Sequence, residues 1–384
     1  MHIVFITGNY PSPRHPTSGT FVQQFVWAIA RQGVKCTVIN PTSLFDRRFG
    51  SYPARYSKEN AGGGWEVNLY RPFSISFSHK NLGWTHTGRW TQYVLNFVSK
   101  RAVGALGTRP DVIYGHFLYH AGKAAVVTGI HHSIPSVIGV GEGTFWTVEA
   151  FGFARAKRDF ALTAGFIAVG QHIQDGLSTQ IGIPLGKITV EPNGVDCTRF
   201  FKADQSEARS QLSLGLELFI IAFVGTFDDL KGGKELVSAV DGMSGISLAM
   251  IGRGEKSFDS KNIIYKGTVN HTQMCTWLNA ADIFVLPTRE EGSCNAVIEA
   301  MACGLPIVTS NGNYMDDIVD NEVAIRVDPV DVRAIREAIL VLKNDPERRK
   351  RMSEACLKKV KQFDINERAR RVTVWMEELV KKKS

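Results

Sequence analysis

Short apolar runs alternate with segments of helical spacing along almost the whole chain, and this alternation limits the folds open to it. In the first half such runs lie at 2–8, 34–40, 111–116, 135–141 and 165–170. A second series begins near residue 200, with runs at 218–225, 246–252, 262–269 and 282–287. Strands that alternate with helices build parallel sheets whose two faces are covered by helices. The sequence therefore predicts an α/β fold with two doubly wound, Rossmann-like parallel-sheet domains.

The turn-rich segment PNGVD, residues 192–196, separates the two series and predicts the entry to a hinge. We expect an N-terminal domain over 1–197, a C-terminal domain over 198–363 and a last helix within 364–384. The length of 384 residues suits two or three domains of roughly 150 residues each.

Residues 44–101 interrupt the alternation, and the sequence predicts an irregular insertion that is closed by a helix over 91–106. Basic and aromatic side chains are frequent in it: Arg47, Arg48, Arg55, Arg71, Arg89, Lys100 and Arg101, with Phe45, Tyr52, Tyr56, Trp65, Phe73, Phe77, Trp84, Trp90 and Phe97. This mixture suits an interfacial contact with a membrane. The alternative is a solvated, partly packed insertion.

The excess positive charge lies entirely in the first half of the chain. The net charge is +8; residues 1–197 hold 18 basic and 10 acidic side chains, whereas residues 198–384 hold 27 of each. A basic surface attracts nucleic acid, anionic lipid or a phosphorylated acceptor. Because the sequence has no zinc-finger, RNA-recognition or helix-turn-helix signature, nucleic acid is not expected as a partner.

The six cysteines and the apolar runs bear on the expected compartment. The cysteines form no CxxC pair, which favours reduced, mostly buried thiols over a zinc site or a disulfide framework. The first residues resemble a strand rather than a signal peptide, and no run approaches the ~20 apolar residues of a membrane helix. We expect a cytoplasmic protein, either free or attached peripherally at the inner face of the membrane.

The stretch from Pro287 to Val308 carries the clearest chemistry. It follows a predicted buried strand and continues through a loop into a helix predicted over 295–303, with Ser293 as the N-cap. Glu291 lies on the loop, and Glu299 lies within the helix among apolar residues. Ligands of open α/β sheets bind at the carboxyl ends of the strands, where a helix N-terminus binds anions. These features predict a ligand with hydroxyl and phosphate groups, such as a sugar nucleotide.

Lys231 and Gly232 lie in the first strand-to-helix turn of the second series, which places them in the same predicted crevice. A lysine beside a glycine-rich turn can bind phosphate together with backbone N–H groups. We expect Glu291 to bind donor-sugar hydroxyls or to stabilise a cation that develops on the sugar, and Glu299 to bind a ribose diol.

Several other chemistries lack their sequence signature. Gly19 follows the first strand without a GxGxxG fingerprint, so a dinucleotide cofactor and a dehydrogenase are not supported. The chain has no Walker A motif and no GxSxG elbow, and no Asp-x-Asp pair follows a strand. We therefore expect no metal and no other cofactor.

The motif PTREEGSCNAVIEAMACGLPIV resembles the Glu-seven residues-Glu motif of retaining glycosyltransferases of family four, which have the GT-B fold. Other segments are similar to that family too: SGTFVQQFVWAIARQGVKCTVI, EPNGVDCTRF, FVGTFDDLKGG and AADIFVLPT. The resemblance runs nearly end to end. It implies two Rossmann-like domains that face a cleft, and a hexosyltransferase-type enzyme of cell-surface polysaccharide biosynthesis. Its donor would be a UDP- or GDP-linked sugar and its acceptor a saccharide or a lipid-diphosphate-linked saccharide, with retention and without an essential metal.

The same resemblance implies roles for individual residues. Glu291 would contact the donor sugar, Glu299 the ribose and Lys231 the diphosphate. The loop and helix start after Glu291 would contact sugar and phosphate: Gly292, Ser293, Cys294, Asn295 and Ala296. Gly19 would approach the diphosphate, the nucleobase would lie near Arg253 and Val269, and the last helix would return to the N-terminal domain.

Two positions depart from the family pattern. Thr226 stands where the family often has an arginine in the diphosphate segment. Glu142, within Gly-Glu-Gly, stands where the family often has a histidine, and we expect it to share the catalytic role with Glu291 or to recognise another hydroxyl pattern. His116 and Arg89 are the expected acceptor contacts. The alternatives are a catalytically degenerate GT-B protein that binds a nucleotide sugar or a partner transferase, and a sugar-nucleotide epimerase.

Overall fold

The structure is a computed structural model, and it describes residues 1–13, 15–16, 18–43, 54–77, 83 and 87–382. The chain divides into two compact units, of which unit 1 comprises Met1–Glu191 with Ile365–Ser384 and unit 2 comprises Pro192–Asp364. Of the basic and aromatic residues named above for the insertion, five lie outside the described residues: Phe45, Arg47, Arg48, Tyr52 and Trp84.

Unit 1 is built on a long, mainly parallel sheet. Its strands are β1 His2–Ile6, β2 Lys35–Ile39, β4 Tyr56–Gly62, β5 Trp65–Tyr70, β7 Val112–His116, β8 Ser136–Val140, β9 Gly165–Ala168 and β10 Ile188–Val190, and the short strands β3 Thr42–Ser43 and β6 Phe73–Ser74 pair separately. The order is β10-β9-β8-β7-β1-β2-β5-β4. Because β1 pairs with both β2 and β7, the strand order reverses at β1, where α/β sheets bind their ligands.

Helices cover this sheet. They are α1 Thr20–Ala30, α2 Gly88–Gly104, α3 Lys123–His132, α4 Trp146–Phe151, α5 Phe153–Phe160, α6 Gln171–Gly176 and α13 Ile365–Lys381, with a kinked, partly non-helical turn at Leu118–Gly122, a π-helical turn at Leu177–Ile181 and a 3-10 turn at Leu185–Lys187. The last helix belongs to unit 1 because its apolar side packs into the core of that unit. Ala369, Val372 and Met376 are buried in the same cluster as Phe5 and Val26.

The prediction of irregular structure over 44–101 is wrong for the segment Tyr56–Tyr70. Strands β4 and β5 form an antiparallel hairpin, and β5 also pairs in parallel with β2. The hairpin is fixed by Glu59, whose Oε2 accepts hydrogen bonds from Tyr10 Oη (2.8 Å) and Trp27 Nε1 (3.1 Å). Partners on other elements thus stabilise a strand whose own sequence alternation is weak.

Unit 2 holds a second sheet, in which every adjacent pair is parallel. Its strands are β11 Ile220–Val224, β12 Ser247–Ile251, β13 Ile263–Gly267, β14 Ile283–Leu286, β15 Ile307–Ser310 and β16 Ala324–Val327. Its helices are α7 Gln205–Gln211, α8 Gly233–Val240, α9 His271–Ala280, α10 Asn295–Ala302, α11 Val332–Asn344 and α12 Pro346–Lys359, with 3-10 turns at Asn313–Met315 and Val360–Phe363. The order β13-β12-β11-β14-β15-β16 reverses between β11 and β14.

The core of unit 2 explains why its strands are continuous apolar runs. Phe223 on β11 and Phe284 on the adjacent β14 are both fully buried, as expected of a parallel sheet covered on two faces. Truncating either ring to alanine would cost about 3–5 kcal/mol of folding free energy. The packed sheet gives the loops after β11 and β14 a rigid base.

The unit boundaries differ slightly from the predicted 197/198 and 363/364. The chain passes from unit 1 to unit 2 after Glu191, because the following segment packs within unit 2. There the backbone N–H of Val195 donates to the Phe363 carbonyl at 2.8 Å. The last strand before this change, β10, ends at Val190.

Within the ranges given above, no helix has both the length and the apolar character needed to span a bilayer.

Candidate functional site

The site in unit 2 lies where its strand order reverses. Strands β11 and β14 are neighbours, and the loops that leave their carboxyl ends, 225–232 and 287–294, lie side by side. The backbone N–H of Arg289 in one loop donates to the Leu230 carbonyl of the other at 2.7 Å. The two loops that were expected to line one crevice are therefore adjacent in the structure.

Lys231 and Glu291 form an ion pair across these two loops. Lys231 Nζ lies 2.6 Å from Glu291 Oε1, and the two side chains are 23% and 11% exposed. Burial would by itself lower the pKa of Lys231, but the Glu291 carboxylate offsets it and the pKa lies above its ordinary value. The pair thus holds a permanent cation and an oriented carboxylate at the end of the sheet.

Gly232 allows the two loops to approach. Its φ is 69°, a left-handed conformation that is strained for any residue with a side chain. A Cβ at this position would lie 2.1 Å from the Pro287 carbonyl oxygen. Glycine is therefore required both for the turn that presents Lys231 and for the contact with the β14 loop.

Asp228 organises the loop that carries Lys231. Its Oδ1 accepts the backbone N–H groups of Leu230 (2.9 Å) and Lys231 (3.0 Å), and its Oδ2 accepts the Thr226 hydroxyl. Thr226, which stands where the family often has an arginine, is exposed, and its hydroxyl donates this hydrogen bond to Asp228. Sequence reasoning missed Asp228, although an aspartate that precedes a Lys-Gly turn is a signal for such a loop.

The predicted N-cap Ser293 is wrong, because α10 begins after Cys294 and has no side-chain cap. The Ser293 Oγ instead accepts the backbone N–H of Asn193 at 3.1 Å. The Asn193 side chain also donates to Asn295 Oδ1 at 2.9 Å, so the PNGVD segment is bound to the start of α10. Cys294 is buried, and its thiol donates to Glu291 Oε1 at 3.5 Å.

The α10 helix carries the remaining predicted donor residues of this loop. Gly292 is buried, whereas Ala296 is half-buried and packs against the core of unit 2. Glu299 lies further along the helix, and burial raises the pKa of its carboxyl to about 8, opposed by the nearby Arg199. Glu299 is therefore mostly protonated at neutral pH.

Arg253 and Val269 follow the neighbouring strands β12 and β13. The Arg253 carbonyl accepts the Phe227 backbone N–H at 2.9 Å, while its side chain is exposed. Val269 is half-buried and packs against the core of unit 2. Both residues thus lie at the carboxyl edge of the sheet that carries Lys231 and Glu291, on the side of β11 away from β14.

Gly19 lies at the corresponding edge of unit 1, at the start of α1. It has a φ of 67°, and a Cβ there would lie 2.4 Å from the Asn9 carbonyl oxygen. Among the side chains that the structure describes, none caps the N-terminus of α1. The backbone of this loop is therefore held close to the helix start, whose free N–H groups favour anions.

Glu142 links two strand-end loops of unit 1. Its Oε1 accepts the Leu118 N–H at 2.6 Å, and its Oε2 accepts the Gly141 N–H at 3.1 Å. Burial raises the pKa of this carboxyl to about 7, against the lowering effect of these N–H groups. The contact accompanies an uncommon positive φ of 71° at Phe117, which sequence reasoning missed. Glu142 thus positions the segment after β7, and its catalytic role remains a prediction.

His116 ends β7 next to this segment. Its Nδ1 lies 3.2 Å from Tyr114 Oη, while Nε2 has no hydrogen-bond partner within the described part of the chain. Burial, with the positive charge of Arg368, lowers the pKa of His116 to about 3, so the ring is neutral.

Arg89, the other expected acceptor contact, lies on α2, one helical turn before Gln92. Gln92 connects α2 to the same segment of unit 1. Its side chain donates to the His120 carbonyl at 2.9 Å and accepts the His120 N–H at 2.7 Å. The start of α2, with Arg89, is therefore bound beside the segment that follows His116. Among the residues with described structure, no group of three or more His, Cys, Asp or Glu side chains could hold a metal ion.

Two family models match the chain in succession. "Glycosyltransferase Family 4" matches residues 18–199, and "Glycosyl transferases group 1" matches residues 204–359. The chain belongs to glycosyltransferase family four. The predicted family and the predicted enzyme class are thereby confirmed, and the two matches change over close to the boundary between the two units.

Relatives and solved structures resemble this glycosyltransferase along most of its length. A Bacillus subtilis (strain 168) protein described as the teichuronic acid biosynthesis glycosyltransferase TuaC is 28% identical over 357 residues, which are 88% of each chain. The sucrose-phosphate synthase from Thermosynechococcus elongatus has a TM-score of 0.78 at 16% identity, covering 98% of both chains. Anabaena HepE in complex with UDP and glucose has a TM-score of 0.72 at 14% identity, covering 98% of this chain and 99% of that one. The predicted GT-B fold is confirmed.

Proposed function

We propose that this glycosyltransferase moves a sugar from a UDP- or GDP-linked donor to a saccharide or lipid-linked acceptor, with retention of the anomeric configuration and without a metal. The observation that carries the proposal is the Lys231–Glu291 pair at the point where the strand order of unit 2 reverses. Such a point is the usual ligand crevice of an open α/β sheet.

The chemistry of transfer suits these groups. The bond between the anomeric carbon and the β-phosphate oxygen breaks, the acceptor oxygen bonds to that carbon, and the acceptor hydroxyl proton passes to the departing diphosphate. Lys231 and the N–H groups at the start of α10 would stabilise the negative charge on the leaving group. Glu291 would orient the sugar hydroxyls or stabilise positive charge on the ring, and Glu299 would bind the ribose.

The donor base is proposed from position and from the similar structures. Arg253 and Val269 would flank the base, because they follow β12 and β13, the two strands on the side of β11 away from β14. Anabaena HepE, which shares the fold, was solved in complex with UDP and glucose, and this supports UDP rather than GDP as the nucleotide of the donor. In unit 1, the backbone at Gly19 would contact phosphate at the start of α1.

Acceptor and pathway class are proposed from unit 1 and from the relatives. TuaC, by its description, acts in teichuronic acid biosynthesis, and this supports a role in cell-surface polysaccharide biosynthesis. His116 and Arg89 would contact the acceptor, and Glu142 would hold the loop beside them. A neutral, half-buried His116 suits a hydrogen bond to a hydroxyl group.

A peripheral contact with the inner face of the membrane is part of the proposal, and the α2 surface supports it. The helix buries small and polar residues, Thr91, Gln92 and Ser99, but exposes Tyr93 (65%) and Phe97 (56%). Its charged residues are all basic: Arg89, Lys100 and Arg101. Exposed aromatic rings beside basic side chains suit a bilayer interface with anionic lipids.

Sedimentation with vesicles tests the membrane contact. At low salt, the protein is expected to sediment with phosphatidylglycerol vesicles and not with phosphatidylcholine vesicles. A variant with Tyr93→Ser and Phe97→Ser should remain in the supernatant, whereas Leu216→Ser, at an exposed site of unit 2, should behave as the unmodified protein. An unmodified protein that stays in solution with both kinds of vesicle would remove this part of the proposal.

Transfer itself is tested with UDP- and GDP-linked hexoses, a lipid-diphosphate-linked saccharide and excess EDTA. A glycosylated acceptor found by mass spectrometry supports the proposal, and a product that forms only when Mg²⁺ or Mn²⁺ is returned contradicts metal independence. Tight donor binding with neither transfer nor hydrolysis would favour a degenerate GT-B protein. An isomerised nucleotide sugar would favour an epimerase.

A further inference from the structure

Two cysteines of unit 2 that lie 28 positions apart in sequence meet beside α10. Cys275 lies on α9 and is half-buried, whereas Cys303 directly follows α10 and is buried, and their sulfur atoms are 4.0 Å apart. We propose that this pair is a thiol-disulfide exchange site, in which Cys275 attacks a low-molecular-weight disulfide and Cys303 then closes an internal disulfide with it.

The surroundings of Cys275 favour its thiolate. Asn279 Nδ2 donates to the Cys275 sulfur at 3.3 Å, and Asn279 is itself fixed because its Oδ1 accepts the Ala203 backbone N–H at 2.7 Å. The contact with Cys303, together with that amide, lowers the pKa of Cys275 to about 6. A thiol with a pKa below neutral is largely ionised and accessible to an electrophile when it is partly exposed.

The other cysteines all have raised pKa values, and all of them except the half-buried Cys197 are buried. Contact with the Cys275 thiolate and burial raise the pKa of Cys303 well above its ordinary value, so Cys303 stays a thiol until it reacts. Burial raises the pKa of Cys36 to about 12, of Cys356 to about 12 and of Cys197 to about 11. Cys294 is likewise buried, with its pKa raised well above the ordinary value.

The reaction balances in two exchange steps. The Cys275 thiolate bonds to one sulfur of the small disulfide, whose S–S bond breaks and releases one thiolate. The Cys303 thiol then gives its proton to that thiolate, and its sulfur attacks Cys275 to release the second small thiolate. The second small thiolate takes from water the proton that Cys275 lost when it ionised, so the small disulfide is reduced to two thiol molecules as the two cysteines are oxidised.

The internal disulfide would act on the helix that carries Glu299. The sulfur atoms must approach from 4.0 Å to about 2.05 Å. The Cys303 N–H donates to the Glu299 carbonyl at 3.2 Å, so the displaced residue is bonded to the proposed ribose ligand. A weaker donor affinity in the oxidised protein is the expected consequence, and this step rests on the proposed function.

Mass spectrometry tests the exchange site itself. The reduced protein is incubated at pH 7 with glutathione disulfide, the remaining thiols are alkylated, and trypsin is followed by a protease that cleaves after glutamate. Cleavage after Glu299 separates Cys294 from Cys303. The expected product is a Cys275–Cys303 disulfide that forms at least about tenfold faster than any adduct at the half-buried Cys197.

Two variants assign the order of attack. Cys303→Ser should accumulate a mixed disulfide of glutathione at Cys275, and Cys275→Ser should leave Cys303 unmodified over the same time. Modification of Cys197 as fast as Cys275, or of Cys303 in the Cys275→Ser variant, would overturn the proposed site.

Measurements of donor affinity test separately whether the internal disulfide weakens donor binding. Oxidised and reduced proteins are compared for binding of UDP-glucose and GDP-linked hexoses by calorimetry, with oxidant-treated Cys303→Ser as the control that cannot close the internal disulfide. A severalfold loss of affinity in the oxidised protein alone is expected. Equal affinity before and after oxidation would overturn the consequence, while a failure of the reduced protein to bind any donor would instead contradict the proposed function.

Discussion

Lys231 Nζ and Glu291 Oε1 are 2.6 Å apart although the residues are separated by 60 positions in sequence. The contact joins the loops after two adjacent strands, and Gly232 permits it by leaving room for the Pro287 carbonyl. A cation and a carboxylate are therefore held together by the backbone of a packed sheet rather than by flexible side chains alone.

Replacing Lys231 should remove the main side-chain cation that the donor diphosphate would meet. We expect Lys231→Ala to lower kcat/KM by about 100-fold or more, since removing one group that stabilises transition-state charge commonly has that effect. The measurement is release of nucleoside diphosphate during transfer. Lys234→Ala is the matched control, because Lys234 is exposed on the first turn of α8 and should leave the rate unchanged. Equal effects of the two substitutions would contradict the role of Lys231.

The raised pKa of Glu299 predicts a pH dependence of donor binding. The free carboxyl has a pKa of about 8, whereas ribose hydroxyls donate best to the ionised form, so binding should favour deprotonation. The affinity for UDP-glucose should rise as pH increases from 6 to 8, by up to about tenfold per unit, and level off above 8. Calorimetry at several pH values measures this. In Glu299→Gln the affinity should be lower and the slope absent; an unchanged slope would exclude Glu299 as its source.

Gly232→Ala should damage both the fold of unit 2 and the site. The added Cβ meets the Pro287 carbonyl and the φ of 69° is strained, so we expect a lower melting temperature and weaker donor binding. Gly242→Ala is the matched control, because Gly242 has a φ of 70° but no atom within 4 Å of the added Cβ. Gly242→Ala should lower the free energy of unfolding by only about 1–2 kcal/mol and leave donor binding unchanged. A milder effect at Gly232 than at Gly242 would contradict the close approach of the loops.

The β/α alternation predicted most strands of both units because parallel strands buried on two faces are continuous apolar runs. The hairpin β4–β5 escaped prediction, since Glu59 and Asn60 give no apolar signal and the strand is held by Tyr10 and Trp27 of distant segments. A side-chain contact between distant segments produces no periodic pattern in the sequence.

The site was predictable to the extent that it consists of residues at strand ends. Lys231 and Glu291 were placed in one crevice by that rule, and their direct contact was not foreseen. Asn193, which binds Ser293 and Asn295, was missed because contacts over about a hundred positions follow from the folded packing alone.

The last helix should depend on one ion pair with the end of unit 1. Arg371 Nε lies 3.1 Å and 3.0 Å from the two carboxylate oxygens of Glu191. We expect Glu191→Ala to speed hydrogen exchange in α13, because the helix loses this anchor. Glu367→Ala removes an exposed pair with Arg370 and should leave exchange nearly unchanged. Equal protection of α13 in both variants would show that apolar packing holds it without Glu191.

The most direct test of the central claim is sugar transfer by matched glutamate variants of the β14 loop. The protein is supplied with the donor that binds best and a lipid-diphosphate-linked saccharide, and the glycosylated product is measured by mass spectrometry and its anomeric configuration by NMR. We predict a product with the donor's configuration, about 100-fold less of it per unit time with Glu291→Gln, and an unchanged rate with Glu290→Gln. An inverted product, or equal rates for the two variants, would contradict the account.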